Sequence, residues 1–258
     1  MYFYFFDKCA LEKRHDTLRN TIETRLTDLG IHGRTERISI FKNMRELLEN
    51  GIKQGAHTVI VVGDDHTFAQ AVNIVAPHQV ALGFIPIVSH SQFARVLGID
   101  CGEDACTVIS QRLYKTVDVG RVGSSFFLGA LVPTDRQQQL IVRCDHLFSI
   151  QSLHAENGIE ILNLGNIVEN DPVHFSSAHD GKLEVRVVPP NMTHFFPLKK
   201  AVKEKQSVFL AQHISLTSSD DAPVHLLADG VTPLHTPCEV NCISSALKLI
   251  VGRSRLFE

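Results

Sequence analysis

The feature that most constrains the fold is an alternation of short apolar runs and amphipathic segments over the first 115 residues. Continuous apolar runs are typical of parallel strands buried on both faces, and apolar residues three, four and seven apart mark one face of a helix. The predicted strands are 1–6, 37–41, 58–62 and 80–87, and the predicted helices lie around 11–29, 44–52, 68–75, 93–97 and 106–113. Repeated strand–helix units predict a Rossmann-like, doubly wound parallel sheet.

The pattern changes near Val117, where strand signals separated by turn residues begin to predominate. The predicted strands of this part are 126–132, 139–144, 159–164, 183–188, 208–216, 224–227 and 240–251, the last being one strand or two, and one segment, 194–205, has a helical pattern. Many short strands of this kind predict a β-sandwich. The predicted organisation is therefore an α/β domain at 1–116 and a β-sandwich domain at 117–258, whose last strands can pack back on the first domain.

Composition narrows the class of protein. Of the 258 residues, 44% are hydrophobic and 21% are charged, which is typical of a soluble globular chain. A net charge of −3 argues against binding to duplex nucleic acid, which favours a clustered basic surface. The apolar start, 1–6, is too short for a signal peptide or a membrane span, and the six cysteines form no CxxC pair. These features predict a cytoplasmic protein with reduced thiols and at most a peripheral contact with membranes.

Four stretches carry a resemblance to a known family. The first is GDDHT at 63–67, which follows a buried strand and precedes a VN pair at 72–73. The second is LGFIP at 82–86 with FARVLGI at 93–99, and the third is DGKLEV at 180–185. The fourth is DGV at 229–231, followed by Pro237 and by ALKLI at 246–250.

In this order the stretches resemble the diacylglycerol kinase and sphingosine kinase family, in the NAD kinase and phosphofructokinase-like superfamily. The corresponding family motifs are GGDGT, LGIIPLGTGNDFARALGI, DGxLDV and DGE. Because two stretches lie in each predicted domain, the resemblance supports the two-domain organisation. It implies an ATP- and Mg²⁺-dependent kinase that phosphorylates a hydroxyl of a lipid or lipid-like alcohol.

The resemblance also implies roles for individual residues. Asp65 matches the aspartate of GGDGT, which acts near the transferred phosphoryl group as a base or by organising Mg²⁺. Asp64 and Asp65 are the predicted metal ligands, and Asp229 and Gly230 are predicted to border the substrate cleft. The predicted nucleotide-binding residues lie in two loops that follow strands: Gly63, Asp64, His66, Thr67, Ser89, His90 and Ser91.

The motifs differ from the family pattern at positions that, in the family, bind phosphate or accept a proton. Asp64 and His66 replace two glycines, VSHSQ at 88–92 replaces GTGND, and Val231 replaces the glutamate of DGE. Two like charges about 4 Å apart repel by roughly 1 kcal/mol in water and about 4 kcal/mol at an effective dielectric of 20, so Asp64 should weaken ATP binding unless a metal intervenes. Valine cannot accept a proton. We therefore expect weak or impaired transfer, and the alternative is an inactive pseudokinase that binds a ligand or a partner.

Backbone arguments predict the shape of these loops. Asp and His tolerate positive φ, so the 63–67 turn is expected to keep its family conformation. A β-branched residue disfavours positive φ, so Val88 predicts a changed path for the second loop.

Several residues keep a structural alternative. Asp65 could cap a helix, 89–91 could cap the next one, and His66 could be a solvated turn residue. Asp180 and Asp229 precede glycines and are also typical turn residues. The lysine-rich run 199–205 is either a solvated face or a patch for anionic membrane. The oligomeric state stays open, a homodimer being one alternative.

Overall fold

A computed structural model describes residues 1–39, 42–135, 139–151, 158–164, 177–188, 207–220 and 222–257. The predicted helix at 194–205 and the lysine run at 199–205 lie outside these residues. In the described part of the chain, no helix is both long and apolar enough to cross a membrane. All six cysteines are free thiols in the structure.

The N-terminal part is a parallel sheet with helices, as the alternating pattern predicts. Its strands are β1 (Tyr2–Phe6), β2 (Arg34–Arg37), β3 (Thr58–Gly63) and β4 (Ala81–Pro86), and its helices are α1 (Asp16–Asp28), α2 (Met44–Lys53), α3 (Asp65–Val75), α4 (Gln92–Leu97) and α5 (Glu103–Gln111). The strands lie in the order β2-β1-β3-β4, and all neighbouring pairs are parallel. β3 and β4 are buried along their whole length, which explains their continuous apolar sequences.

The remaining described strands form the β part. They are β5 (Tyr114–Val122), β6 (Ser125–Phe127), β7 (Ala130–Pro133), β8 (Leu140–Cys144), β9 (Phe148–Gln151), β10 (Gly158–Leu162), β11 (Leu183–Val188), β12 (Ser207–Ala211), β13 (His213–Ser218), β14 (His225–Ala228), β15 (Thr232–His235) and β16 (Cys238–Ile250). Six of them form an antiparallel sheet in the order β12-β11-β10-β7-β14-β15. A second hydrophobic core lies between this sheet and β8, β13 and β16, so the predicted antiparallel sandwich is confirmed.

β16 joins the two parts of the molecule. It pairs in parallel with β4 and antiparallel with β5 and β13, so one ten-stranded sheet runs from the α/β part into the sandwich. The last strand thus packs on the first part of the chain. β5 spans 114–122 and crosses the predicted boundary at 116/117, and that boundary stays a prediction.

Strand boundaries show where the sequence pattern misleads. β2 covers Arg34–Arg37 and not the predicted 37–41, because an edge strand with exposed side chains carries no apolar signal. The predicted strand 208–216 is two strands with Gln212 between them, and 126–132 is likewise divided. β5, β9 and β15 were not predicted. β5 contains Asp118 and Arg121, which interrupt its apolar alternation.

Candidate functional site

The predicted site lies where β3 and β4 end and where α3 and α4 begin. The two strands are neighbours in the sheet, and the amide of Ile87 donates to the carbonyl of Gly63 at 3.0 Å. The loops that follow them therefore lie side by side at the carboxyl edge. This edge is where open parallel sheets bind ligands.

Asp65 connects these two loops. Its carboxylate accepts hydrogen bonds from the Ser91 hydroxyl and, at 2.6 Å, from the backbone amide of Gln92. Ser91 is the N-cap of α4, and its Oγ accepts from the amide of Ala94 at 2.9 Å. Asp65 thus fastens the start of α3 to the start of α4, and the structure brings the predicted residues Asp65 and Ser91 together.

Asp64, and not Asp65, caps α3. Its Oδ1 accepts from the amide of Thr67 at 2.9 Å and from the Thr67 hydroxyl at 2.8 Å. The alternative role of Asp65 as a helix cap is therefore wrong, whereas the cap predicted within 89–91 is Ser91. Two hydrogen bonds to one carboxylate oxygen also explain why a side chain larger than glycine is accommodated at position 64.

The backbone argument for the 63–67 turn is also wrong. Asp64 has φ −106 and ψ −178, which is extended backbone, and His66 lies in the first turn of α3. His66 is exposed, and its Nε2 lies 3.0 Å from Nε2 of Gln70. Neither residue has positive φ, so the tolerance of Asp and His for that conformation does not explain this turn.

A cavity of about 420 Å³ opens beside the second loop. Val88, Ser89, His90 and Ser91 line it, and none of the described residues of this loop has positive φ. Arg95 also lines the cavity, and its Nη2 donates to Oε1 of Gln92 at 3.0 Å. Sequence reasoning passed over Arg95, although it is the only cationic side chain of α4. Hydroxyls and a guanidinium in one cavity suit the binding of phosphate.

One of the two predicted metal ligands, Asp64, belongs to a cluster of possible ligands, and its pairing with Asp65 stays a prediction. Ligand atoms of Asp7, Cys9 and Asp64 lie within 4.8 Å of one another, and Asp65 is not a member of this group. Two carboxylates at the ends of adjacent strands fit Mg²⁺, which prefers oxygen ligands and substrate phosphates. Sequence reasoning missed Asp7, although an acidic residue directly after a buried strand was visible as a signal.

Cys9 is a poor ligand for such a hard cation. Burial raises the pKa of its thiol to about 12, with further increases from its hydrogen bond to Asp7 and from the charge of Asp64. The Sγ atom donates to Oδ2 of Asp7 at 3.3 Å. The thiol is therefore protonated at neutral pH, and within this group only Asp7 and Asp64 offer the carboxylate oxygens that fit Mg²⁺.

The carboxylate of Asp229 is used in hydrogen bonds with the backbone. Its carboxylate accepts from the amides of Leu128, Gly129 and Ala130 at 2.7, 2.8 and 2.9 Å, which anchors the chain entering β7. Asp229 and Gly230 have φ of 50° and 70° and form the turn between β14 and β15. Asp229 is therefore a turn residue, as the sequence allowed, and none of its contacts with described residues marks a substrate cleft.

Two connections place α3 against the β part. Oδ1 of Asn73 accepts from the amide of Phe126 at 2.9 Å, and its Nδ2 lies 3.4 Å from Oγ1 of Thr232. Val231, at the position of the family glutamate, is half-buried and packs against the core of the α/β part. Asn73 was noticed only as part of a motif, and the structure makes it a link between the two parts.

The third motif, DGKLEV at 180–185, is hydrogen-bonded to a buried carboxylate that the sequence did not indicate. Asp118 of β5 accepts from the amides of Gly181 and Ser245 at 2.7 and 2.8 Å. Asp180 accepts from the amide of Lys182 at 3.0 Å, as a turn residue does. The DGKLEV stretch is thus a structural element that is fastened to β5 and β16.

Asp229 makes the stability of the protein depend on pH. Burial raises the pKa of its carboxyl from the ordinary 3.8 to about 6, and this effect outweighs the three backbone donors, which lower it. Because the pKa is raised in the folded state, the carboxyl of Asp229 contributes fully to the free energy of unfolding below about pH 4. This contribution is lost as the pH rises through about 6. We expect wild type to lose stability relative to Asp229→Asn between pH 4 and pH 7. Urea unfolding of both proteins at unit pH steps measures this, and a constant difference would contradict it.

Comparison with known proteins agrees with this architecture. Residues 3–122 match the family model of the diacylglycerol kinase catalytic domain. A crystal structure of a diacylglycerol kinase from Bacillus anthracis strain Sterne superposes with a TM-score of 0.76 at 17% identity, covering 98% of this chain and 97% of that one. Two further solved structures from the same strain have TM-scores of 0.77 and 0.75, each at 16% identity with the same coverage. No curated protein sequence matches the chain.

Residues 3–122 are thus similar to the diacylglycerol kinase catalytic domain, as the motifs indicate. The chain as a whole has the two-part fold of the bacterial protein described as a diacylglycerol kinase.

Proposed function

We propose that the protein is a lipid kinase of the diacylglycerol kinase type with a low turnover, which transfers a phosphoryl group from ATP to a hydroxyl of a lipid or lipid-like alcohol. The observation that supports it best is the position of Asp65, a carboxylate at the carboxyl edge between two loops that match the family's phosphate-handling motifs. The free thiols agree with action in the cytoplasm.

In this proposal the residues of the cavity bind and orient the nucleotide. The hydroxyl of Ser89 and the guanidinium of Arg95 contact phosphate oxygens, whereas the hydroxyl of Ser91 already donates to Asp65. Asp7 and Asp64 are the residues that would hold Mg²⁺, and a bound Mg²⁺ would offset the repulsion between Asp64 and phosphate.

Asp65 then accepts the proton of the acceptor hydroxyl. Each of its oxygens accepts one hydrogen bond from the start of α4 and keeps a lone pair for the acceptor hydroxyl. These two bonds hold the carboxylate against α4, and together with the absence of a carboxylate at Val231 this fixed position accounts for a low rate.

The same two observations favour a second candidate function. A pseudokinase would keep Asp65 permanently as the fastener between α3 and α4 and would bind nucleotide or another anionic ligand in the cavity without transfer. The two candidates differ in one measurable respect, the effect of Asp65 on turnover.

The test is transfer of radiolabelled phosphate from ATP to diacylglycerol in mixed micelles with Mg²⁺. We expect slow product formation by wild type and a decrease in kcat of at least about tenfold for Asp65→Asn, since general acid–base groups contribute about 10²–10⁴-fold. Product formation that equals the protein-free control, with ATP binding intact, would establish the pseudokinase instead.

Ser91→Ala is the matched control. It removes one of the two hydrogen bonds to Asp65 and the cap of α4 but keeps the carboxylate. If Asp65 takes part in transfer, Asp65→Asn lowers kcat far more than Ser91→Ala does. Equal decreases for the two variants would show that Asp65 only fastens the loops.

A further inference from the structure

Two histidines lie directly opposite each other on the β14–β15 hairpin. His225 of β14 pairs with His235 of β15 in antiparallel register, and both side chains are exposed. The next pair, Leu226 and Leu234, packs in the sandwich core. Because successive side chains of a strand point to opposite faces, both imidazoles lie on the solvent face of the sheet. The two residues are not close in the sequence, so the pair exists only in the folded hairpin.

The hydrogen-bond pattern of the hairpin brings the two side chains close together. The amide of Thr236 donates to the carbonyl of Val224 at 3.0 Å, so these two residues form a hydrogen-bonded pair. Bonded and non-bonded pairs alternate along an antiparallel ladder, and His225 and His235 therefore form a non-bonded pair, in which the Cα atoms are about 4.5 Å apart. Pro233 agrees with this assignment, since it lies two residues further along β15, also in a non-bonded pair, where no amide hydrogen is needed.

A hydrogen bond fixes the state of one of the rings. Nδ1 of His235 lies 3.1 Å from the carbonyl oxygen of Thr236. Because a carbonyl oxygen only accepts, Nδ1 carries the hydrogen, and Nε2 of the neutral ring keeps its lone pair. Histidines that bind metals are held in this way, with one nitrogen donating to a carbonyl and the other facing the ion.

The surroundings of the pair leave room for a hydrated ion. β15 is the last strand of the six-stranded sheet, and His235 also lines a cavity of about 590 Å³. Imidazole nitrogens suit zinc, copper and nickel, whereas Mg²⁺ prefers oxygen ligands. The histidine pair therefore differs in chemistry from the cluster that contains Asp7 and Asp64.

We propose that His225 and His235 form a two-histidine site for a divalent transition-metal ion, with water molecules completing its coordination. The ion bridges β14 and β15 and stabilises the hairpin whose turn residue, Asp229, anchors the chain entering β7. Because the two ligands meet only when the strands are paired, bound metal raises the midpoint of thermal unfolding. This site goes beyond the proposed function, and neither ATP nor lipid enters its test.

The test is isothermal titration calorimetry of chelator-treated full-length protein with Ni²⁺, together with thermal unfolding with and without Ni²⁺. Losing an outer-shell partner already costs about 10–100-fold in metal affinity, so His225→Gln and His235→Gln should each weaken binding at this site by at least about tenfold. Each change should also abolish the rise of the unfolding midpoint with Ni²⁺. Co²⁺ should bind wild type more weakly than Ni²⁺ does. Both side chains are exposed, so without metal the variants should unfold at the wild-type midpoint.

His57→Gln is the matched control, since His57 is an exposed histidine of the α/β part. It should leave the Ni²⁺ affinity and the rise of the midpoint unchanged. Two histidines that bind independently would give a different result, because each variant would then lose one bound ion and leave the affinity for the other unchanged. That result would overturn the proposal. So would the absence of Ni²⁺ binding by wild type, binding that His225→Gln leaves intact, or displacement of Ni²⁺ by excess Mg²⁺.

Discussion

Replacing Asp229 by alanine is expected to lower the free energy of unfolding at pH 7 by about 3 kcal/mol. The change leaves the amides of Leu128, Gly129 and Ala130 without the carboxylate that accepts from all three. A buried donor without a partner costs about 1–3 kcal/mol. Because water reaches part of this turn, we take about 1 kcal/mol for each of the three amides. Urea unfolding followed by circular dichroism gives the value.

Two further variants test whether the loss of stability comes from the loss of the three hydrogen bonds to Asp229. Asp229→Asn tolerates the positive φ of this position and keeps one acceptor, so we expect it to lie between wild type and Asp229→Ala. Asp180→Ala is the matched control, since Asp180 also precedes a glycine but accepts from a single exposed amide, and its loss should stay below about 1 kcal/mol. If Asp229→Ala were no more harmful than Asp180→Ala, the anchoring role would be refuted.

Removing the charge of Asp64 is expected to strengthen ATP binding by about fivefold to several hundredfold in the absence of Mg²⁺. A carboxylate near a phosphate opposes binding by roughly 1–4 kcal/mol, depending on the local dielectric, and 1.4 kcal/mol corresponds to a factor of ten. The suitable change is Asp64→Asn, because asparagine is as good a helix cap as aspartate and can still accept from Thr67. Glycine would remove the cap together with the charge.

Isothermal titration calorimetry with ATP, with and without Mg²⁺, measures the effect. With Mg²⁺ the gain should shrink, because the bound metal offsets the charge of Asp64 in wild type and loses a ligand in the variant. Asp28→Asn is the control, since Asp28 is an exposed acid at the end of α1, on the opposite edge of the sheet. Tight ATP binding by wild type without Mg²⁺, or no gain in Asp64→Asn, would contradict the repulsion argument.

The site residues show how far motif reasoning reaches. The motifs correctly placed 63–67 and 88–92 beside each other, because the order of parallel strands brings the loops after β3 and β4 to one edge. They could not predict which of Asp64 and Asp65 caps α3 and which contacts the start of α4, since either residue can cap a helix or face a ligand. Because α3 starts at Asp65, one residue earlier than a cap at Asp65 would require, the carboxylate of Asp64 accepts from Thr67 and that of Asp65 accepts from the start of α4.

Residues that meet from distant parts of the chain lay beyond sequence reasoning. Asp7 joins Asp64 because β1 and β3 are adjacent in the sheet, and Asp118 meets Ser245 because β5 pairs with β16. The spacing of residues along the sequence does not indicate either of these strand pairings. Edge strands such as β2 and β9 were also displaced or missed, because their exposed side chains need not alternate.

What the sequence determined by itself is the fold class: a buried parallel sheet demands continuous apolar strands, and a sandwich demands many short ones, so both signals are local. What only the tertiary structure decided is the use of each polar side chain. The carboxylates of Asp64, Asp65 and Asp229 look alike in sequence, yet one caps a helix, one fastens two loops and one anchors a strand. The reason is physical, because a hydrogen bond depends on which donors the folded backbone brings within about 3 Å, and that distance is set by the packing of the whole chain.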